Sequence, residues 1–368
     1  MDRLIVADAN HPAWRNNQCF DPAKQHMGFG LGLYVHLARE ARRRGIEVAT
    51  VDVYRAMTHA PARVACLTVQ YTDETQALLA GGAQLAICHS LESPINAYKF
   101  SHFMARYAGR FQHNFQFSGT RGRLAGTGTT FHPLYFPIET RARLPLRAWN
   151  QRDDLVMMVG NPWARPARPT RLVDLRTRVK VAARFQVWRL FDPWLRVPRL
   201  YRARLRAIEY FSRRGGFRLY GRGWDQPSAG ISAADQHAAR KVYAGAIAPG
   251  ALPKREVLNG YRFAICFENC VFPGYVTEKL FDCFLAGCVP VYWGAPDITD
   301  FVPEQTFIDF RHFGSLAELD RCLRDLPAAE AQRYLDAARD FLASPEFDRF
   351  DAARLAQEMA DILEQALR

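Results

Sequence analysis

The stretch Phe263–Pro296, FAICFENCVFPGYVTEKLFDCFLAGCVPVYWGAP, decides how the chain is read. Phe263–Phe267 is an apolar run of strand type that ends on the polar pair Glu268 and Asn269, and Pro273 and Gly274 mark a loop after it. Thr277 is a good helix N-cap. Leu280, Phe281, Phe284, Leu285 and Cys288 then recur at helical spacing and define one buried face. Gly287 ends the helix, and Val289–Tyr292 begins the next strand. The result is a β-loop-α-β unit with polar groups at a strand's carboxyl end, where doubly wound sheets hold their ligands.

Lys279 stands in the first turn of that helix, where a cation opposes the helix dipole by about 0.3–1 kcal/mol. A diphosphate at the helix N-terminus would give it a reason to be there, because free backbone N–H groups and the lysine would both face it. A solvated surface lysine is the plain alternative. Glu278 suits a helix start with no function attached, and Glu268 and Asn269 are ordinary residues for closing the turn after a strand.

Working outward, short apolar runs alternate with helical patterns. Leu4–Ala7, Val48–Val53, Val64–Val69 and Gln84–Cys88 read as strands, and Leu31–Arg44 as a helix ended by Gly45. Gly119–Pro145, rich in Gly, Thr, Pro and Arg, reads as an interdomain connection. A second series starts with strand Leu155–Val159. It continues with helix Tyr201–Arg213, strands Phe217–Gly221 and Phe263–Phe267, helix Thr277–Ala286 and strand Cys288–Trp293, and ends in helices near Ala317–Leu326, Ala328–Leu342 and Ala352–Leu367. This alternation predicts parallel sheets covered on both faces. The cluster Gly28, Gly30 and Gly32 lacks the third glycine of a dinucleotide fingerprint at the right offset and reads as a loop.

The 368 residues suit two domains, and 49% hydrophobic content excludes disorder. The net charge of +12 is concentrated: from Arg165 to Arg206 thirteen cations face two anions, a net of +11 in 42 residues. The rest is nearly neutral, unlike a uniformly basic nucleic-acid binder, and no nucleic-acid partner is expected. Eight cysteines are scattered without a C-x-x-C pair, and the apolar run Leu4–Ala9 is too short for a signal-peptide core. A reducing cytoplasm is the expected location.

The segment FENCVFPGYVTEKLFDCFLAGCVPVYWGAP resembles the donor-binding signature of the family-10 α-1,3/1,4-fucosyltransferases: F-E-N, a short loop, Y-[IV]-T-E-K, a helix, and A-G-x-V-P-V. Leu91-Glu92-Ser93-Pro94 is similar to the family's E-S-P element, and Leu200–Phe211 followed by FRLYGRGW resembles its arginine helix and Y-G-x-G strand. The resemblance implies an α/β fold of GT-B type, two Rossmann-like domains facing a cleft. It places an acceptor-side domain at 1–145, a GDP-sugar-binding domain at 146–345 with a basic insertion at about 165–200, and a C-terminal helix at 346–368. It implies an inverting α-(1,3)-fucosyltransferase that moves L-fucose from GDP-fucose to a glycan hydroxyl. Glu92 takes the general-base position, Arg204 and Lys279 neutralise the pyrophosphate, and Asn269, Tyr275 and Glu278 contact the ribose or the fucose.

One carboxylate and two cations are enough for that chemistry. No D-x-D occurs, so no metal and no cofactor beyond the donor are expected. The same fold with another GDP-sugar, or a basic membrane-associated protein with an inactive transferase site, stays open.

The sequence departs from the family at Asn161, which the family sets a few residues before the phosphate arginine. Here Arg204 follows 43 residues later, and Arg168 keeps the short spacing. Arg204 is preferred because Arg204, Ile208 and Phe211 sit at helical spacing and lead into FRLYGRGW. The intervening insert interleaves Phe185, Val187, Trp188, Leu190, Phe191, Trp194 and Leu195 with Arg184, Arg189 and Arg196, the make-up of a membrane-surface element, with a solvated arm folded over the donor domain or a subunit contact as the alternatives. A lipid-linked acceptor, such as a lipopolysaccharide precursor carrying GlcNAc or Glc, and a place on the inner face of the membrane are expected with it.

Overall fold

The computed structural model describes residues 2–8, 14–24, 30–59, 61–140, 144–164, 187 and 190–368. Gly28, and of the insert Arg168, Lys180, Arg184, Phe185, Trp188 and Arg189, lie outside the described residues. The chain divides into two compact units, one of Met1–Ala142, Pro273–Tyr275 and Phe347–Arg368, the other of Arg143–Phe272 and Val276–Glu346.

The first unit runs β1 (Arg3–Asp8), α1 (Leu31–Arg43), β2 (Glu47–Thr50), α2 (Val51–Arg55), β3 (Arg63–Val69), α3 (Asp73–Ala80), β4 (Gln84–His89), α4 (Tyr98–Ala108), β5 (His113–Gln116), α5 (Arg121–Leu124) and β6 (Thr130–Pro133). Its parallel sheet has the order β2-β1-β3-β4-β5-β6. Alternation along β1 shows why both faces are covered: Ile5 and Ala7 join a cluster with Leu33 and Leu37 of α1, and Leu4 and Val6 join one with Phe100 and Met104 of α4.

Two expectations are corrected here. Val48–Val53 is not one strand, because Asn17 Oδ1 accepts from Thr50 N (2.8 Å) at the end of β2 and the chain then turns into α2. Gly119–Pro145 is not only a connection, because it carries α5 and β6, which pairs with β5 through Asn114 and Phe131 as the sheet's edge. A Pro at the end of an edge strand costs no ladder bond, so its presence did not forbid a strand.

The second unit runs β7 (Asp153–Met158), α6 (Tyr201–Phe211), β8 (Phe217–Tyr220), α7 (Ala233–Val242), β9 (Tyr243–Gly245), α8 (Ala251–Leu258), β10 (Tyr261–Phe267), α9 (Glu278–Ala286), β11 (Val289–Trp293), β12 (Ile308–Asp309), α10 (Leu316–Asp325) and α11 (Ala328–Ala343). Its sheet order, β12-β11-β10-β7-β8-β9, is that of dinucleotide-binding folds, with the reversal between β7 and β10. On one face Leu155, Met157, Phe263, Ile265 and Phe267 pack with Leu205, Ile208 and Phe211 of α6. Toward the other face, Cys266 Sγ lies 3.4 Å from Cys283 Sγ of α9. Gly287 takes the left-handed conformation (φ 64°) that closes α9, and Arg152 donates to its carbonyl.

The C-terminal α12 (Ala352–Ala366) returns to the first unit, where Leu355, Ala356, Met359 and Leu363 enter the cluster built on α1. Among the described residues no helix is long and apolar enough to cross a membrane.

Candidate active site

Three consecutive residues where β10 ends, Phe267, Glu268 and Asn269, organise two cations at the strand-order reversal. The Phe267 carbonyl accepts from Arg204 Nε (3.0 Å) and Nη2 (2.5 Å), and Asn269 Oδ1 accepts from the same Nη2 (3.0 Å). Arg204 is buried on α6, with its guanidinium over the Tyr201 ring at 5.4 Å.

Glu268, fully buried, serves the second cation. Its carboxylate accepts from Thr277 N (2.9 Å), from the Thr277 hydroxyl (2.8 and 3.0 Å) and from Lys279 Nζ (2.9 Å). Lys279 Nζ also donates to Thr277 Oγ1 (2.8 Å). The cation in the first helical turn is thus neither a solvated lysine nor one without a partner. An ammonium has three hydrogens, so these two contacts leave one for a ligand.

Thr277 occupies the N-cap position of α9, yet its side chain makes no capping bond, because its hydroxyl is committed to Glu268 and Lys279. The expected capping role is therefore corrected, and the amides of the first turn are left without the usual side-chain acceptor. Glu278 pairs with Lys254 of α8 at 3.4 Å, and below it the buried Arg255 and Asp282 pair at 2.9 Å.

The electrostatics follow from these contacts. Burial pushes the Lys279 ammonium down, but Glu268 and then Glu278 overcome that and raise it, against the repulsion of Arg204. Burial likewise pushes Glu278 up, and Lys279 and Lys254 outweigh it, bringing its carboxyl down to about 2. Three cations against two carboxylates at a helix start whose N-cap side chain makes no capping bond favour an anion there.

Comparison with known proteins fits that chemistry. Residues 247–342 match the family model for glycosyltransferase family 10 (fucosyltransferase), C-terminal part. Over those residues the chain is similar to family-10 fucosyltransferases.

An α-(1,4)-fucosyltransferase of Arabidopsis thaliana is 45% identical over 62 residues, 17% of this chain and 16% of that protein. An α-(1,3)-fucosyltransferase of Helicobacter pylori is 44% identical over 64 residues, 16% of this chain and 13% of that protein. The matches thus span about a sixth or less of these relatives' length. A crystal structure of an α1,3-fucosyltransferase with GDP superposes over 99% of this chain and 91% of its own, with a TM-score of 0.52 and 13% identity. That likeness is one of fold, and the fold is α/β of GT-B type with two six-stranded parallel sheets.

The family-10 match contains Asn269, Tyr275, Glu278 and Lys279 and leaves Arg204 and Glu92 outside it. The second unit brings Arg204, Asn269, Glu278 and Lys279 together. Tyr275 groups with the first unit, where it is buried with its ring edge-on to Phe117 at 5.1 Å. Glu92, also in the first unit, is exposed just past β4 and accepts from Asn96 Nδ2 at 3.0 Å.

His89 beside it is a core histidine: Nε2 lies 2.9 Å from Tyr34 Oη, and burial lowers the imidazole to about 4, so it stays neutral. Asn161 closes a loop, donating to Gly223 O (2.9 Å) and Ser228 Oγ (2.7 Å). Gly30 and Gly32 open α1 instead of forming a loop, and Gly30 has φ 74°. Among the described residues no group of three His, Cys, Asp or Glu side chains could hold a metal ion.

Sequence reasoning missed two residues. Lys254 carried no visible signal, whereas Glu268 could have been found by asking which carboxylate answers a lysine at a helix start.

Proposed function

We propose that the chain is an inverting α-(1,3)-fucosyltransferase that moves L-fucose from GDP-fucose to a hydroxyl of a glycan. The observation that carries this reading is that F-E-N, inside the family-10 match, holds both Lys279 and Arg204 beside a helix start without a side-chain cap. In the reaction the acceptor hydroxyl gives its proton to the Glu92 carboxylate while its oxygen bonds to the fucose anomeric carbon. The bond from that carbon to the diphosphate breaks, and GDP leaves with the electron pair. Arg204 and Lys279 neutralise the charge that develops on it. Asn269, Tyr275 and Glu278 hold the ribose or the fucose.

No metal is needed in this scheme, since Arg204 and Lys279 supply the positive charge that a metal ion would otherwise bring to the leaving diphosphate. Activity in excess chelator equal to that without it supports this, and activity lost and restored by Mn²⁺ contradicts it. Incubation with GDP-fucose, GDP-mannose and UDP-sugars tests the donor, and turnover of GDP-mannose in preference to GDP-fucose would replace the fucose reading. A screen of glycans ending in GlcNAc or Glc with labelled GDP-fucose, followed by linkage determination, tests acceptor and α-1,3 position.

The acceptor is a lipid-linked surface-glycan precursor, met at the inner face of the membrane by a cytoplasmic enzyme. Val187, Leu190 and Phe191 support this: they are 51%, 66% and 81% exposed within the arginine-rich insert. Leu190→Ser with Phe191→Ser should weaken co-sedimentation with anionic vesicles, and unchanged binding removes the membrane contact.

A further inference from the structure

The carboxylate of Glu268 is the one acidic group at this site that the reaction scheme leaves without a task. It is fully buried and reaches three donors at 2.8 to 3.0 Å: the Thr277 amide, the Thr277 hydroxyl and Lys279 Nζ. Turn closure alone would need one backbone donor and no charge. Two of its partners are instead the groups that set the head of α9. By drawing the Thr277 hydroxyl away from the helix it leaves the first-turn amides uncapped. By holding Nζ it fixes the direction of the remaining N–H.

Gly294 supports the same reading. A Cβ there would stand 2.5 Å from Glu268 Cγ and 2.4 Å from Tyr292 Oη, so the chain keeps a glycine where the carboxylate passes.

We infer that Glu268 is a positioning residue for the donor diphosphate, keeping the Lys279 ammonium charged and aimed while it opens the start of α9. The inference rests on the reading of this site as the GDP-sugar site. The charged groups that face Lys279 are Glu268 at the end of β10, Glu278 on its own helix and Arg204 from α6, and Lys254 from α8 acts through Glu278. Of the two that hold the proton on Lys279, Glu268 is the stronger; without it, burial and Arg204 pull the ammonium down.

Titration calorimetry of the full chain with GDP, between about pH 7 and pH 9.5, supplies the test. Wild type should bind with little change across that range. Glu268→Gln keeps an oxygen for the Thr277 amide but loses the charge, and its affinity should fall by about tenfold to a hundredfold as pH rises. Lys279→Met should bind weakly at every pH, and the double variant Glu268→Gln with Lys279→Met should match it. A Glu268→Gln profile parallel to wild type overturns the inference, as does an equal loss in the wild-type and Lys279→Met backgrounds.

If Glu268→Gln does not fold, Glu268→Asp carries the same comparison. Its weakened binding should vanish as a difference when Lys279 is Met, and an equal loss in both backgrounds overturns the inference. A wild-type chain that binds no GDP at any pH instead removes the donor-site reading, and the inference falls with it.

Discussion

Each sheet sets a carboxylate at the carboxyl end of a strand beside a threonine that starts a helix, and the two make opposite use of it. In the first unit Asp8 accepts from the hydroxyls of Thr72 (2.6 Å) and Thr75 (3.2 Å). Thr72 also caps α3 in full, accepting from Thr75 N while Thr75 Oγ1 accepts from Thr72 N. In the second unit Glu268 takes the Thr277 hydroxyl for itself and brings a lysine with it, and α9 starts without a side-chain cap. A helix start closed by its own side chains has fewer donors to offer a ligand. One held open between two cations is an anion cradle. On the proposed reading, this difference suits the start of α9, and not that of α3, to the donor diphosphate.

The largest effect should come from Glu92. If Glu92 is the base as proposed, Glu92→Gln should lower kcat by roughly 10²–10⁴-fold with GDP affinity unchanged, since Glu92 lies in the first unit and Arg204 and Lys279 in the second. Steady-state kinetics beside calorimetry checks this, and weakened GDP binding would break the division of labour.

Next come the two threonines, equivalent in position and not in role. Thr277→Ala should raise the donor KM by about fivefold, the worth of one hydrogen bond of about 1 kcal/mol. Thr72→Ala should cost about 1 kcal/mol of stability in a denaturant titration and leave the donor KM alone. A rise of KM in Thr72→Ala would erase the contrast.

The smallest effect concerns acid. The Glu278 carboxyl sits well below its ordinary value in the folded chain, so its contribution is complete above that ordinary value and is lost as pH falls from there toward about 2. Glu278→Gln should flatten the loss of stability over that window, measured by thermal melts at stepped pH.

The sequence showed what local pattern can show. Phe263–Pro296 announces its strand, loop, helix and strand because each has its own period and a Gly or Pro at its end. Asn269, Glu278 and Lys279 were legible because the motif packs them into eleven residues. Glu268 was given no role because a Glu after a strand is an ordinary turn residue, and its meaning lies in a lysine eleven positions away across a loop. The short α2 and β6 escaped because five and four residues carry no period. The choice of Arg204 rests on its helix and not on spacing, since the insert removes the family's distance from Asn161 and the alternative, Arg168, lies outside the described residues.

The return of α12 to the first unit bears on how the chain comes to be. Leu355, Met359 and Leu363 fill the cluster against α1, but the ribosome makes them only after the whole second unit. The unit begun first is therefore completed last. During synthesis the apolar flank of α1 waits uncovered for more than two hundred residues, a window in which a chaperone or a wrong partner meets it before its own helix does.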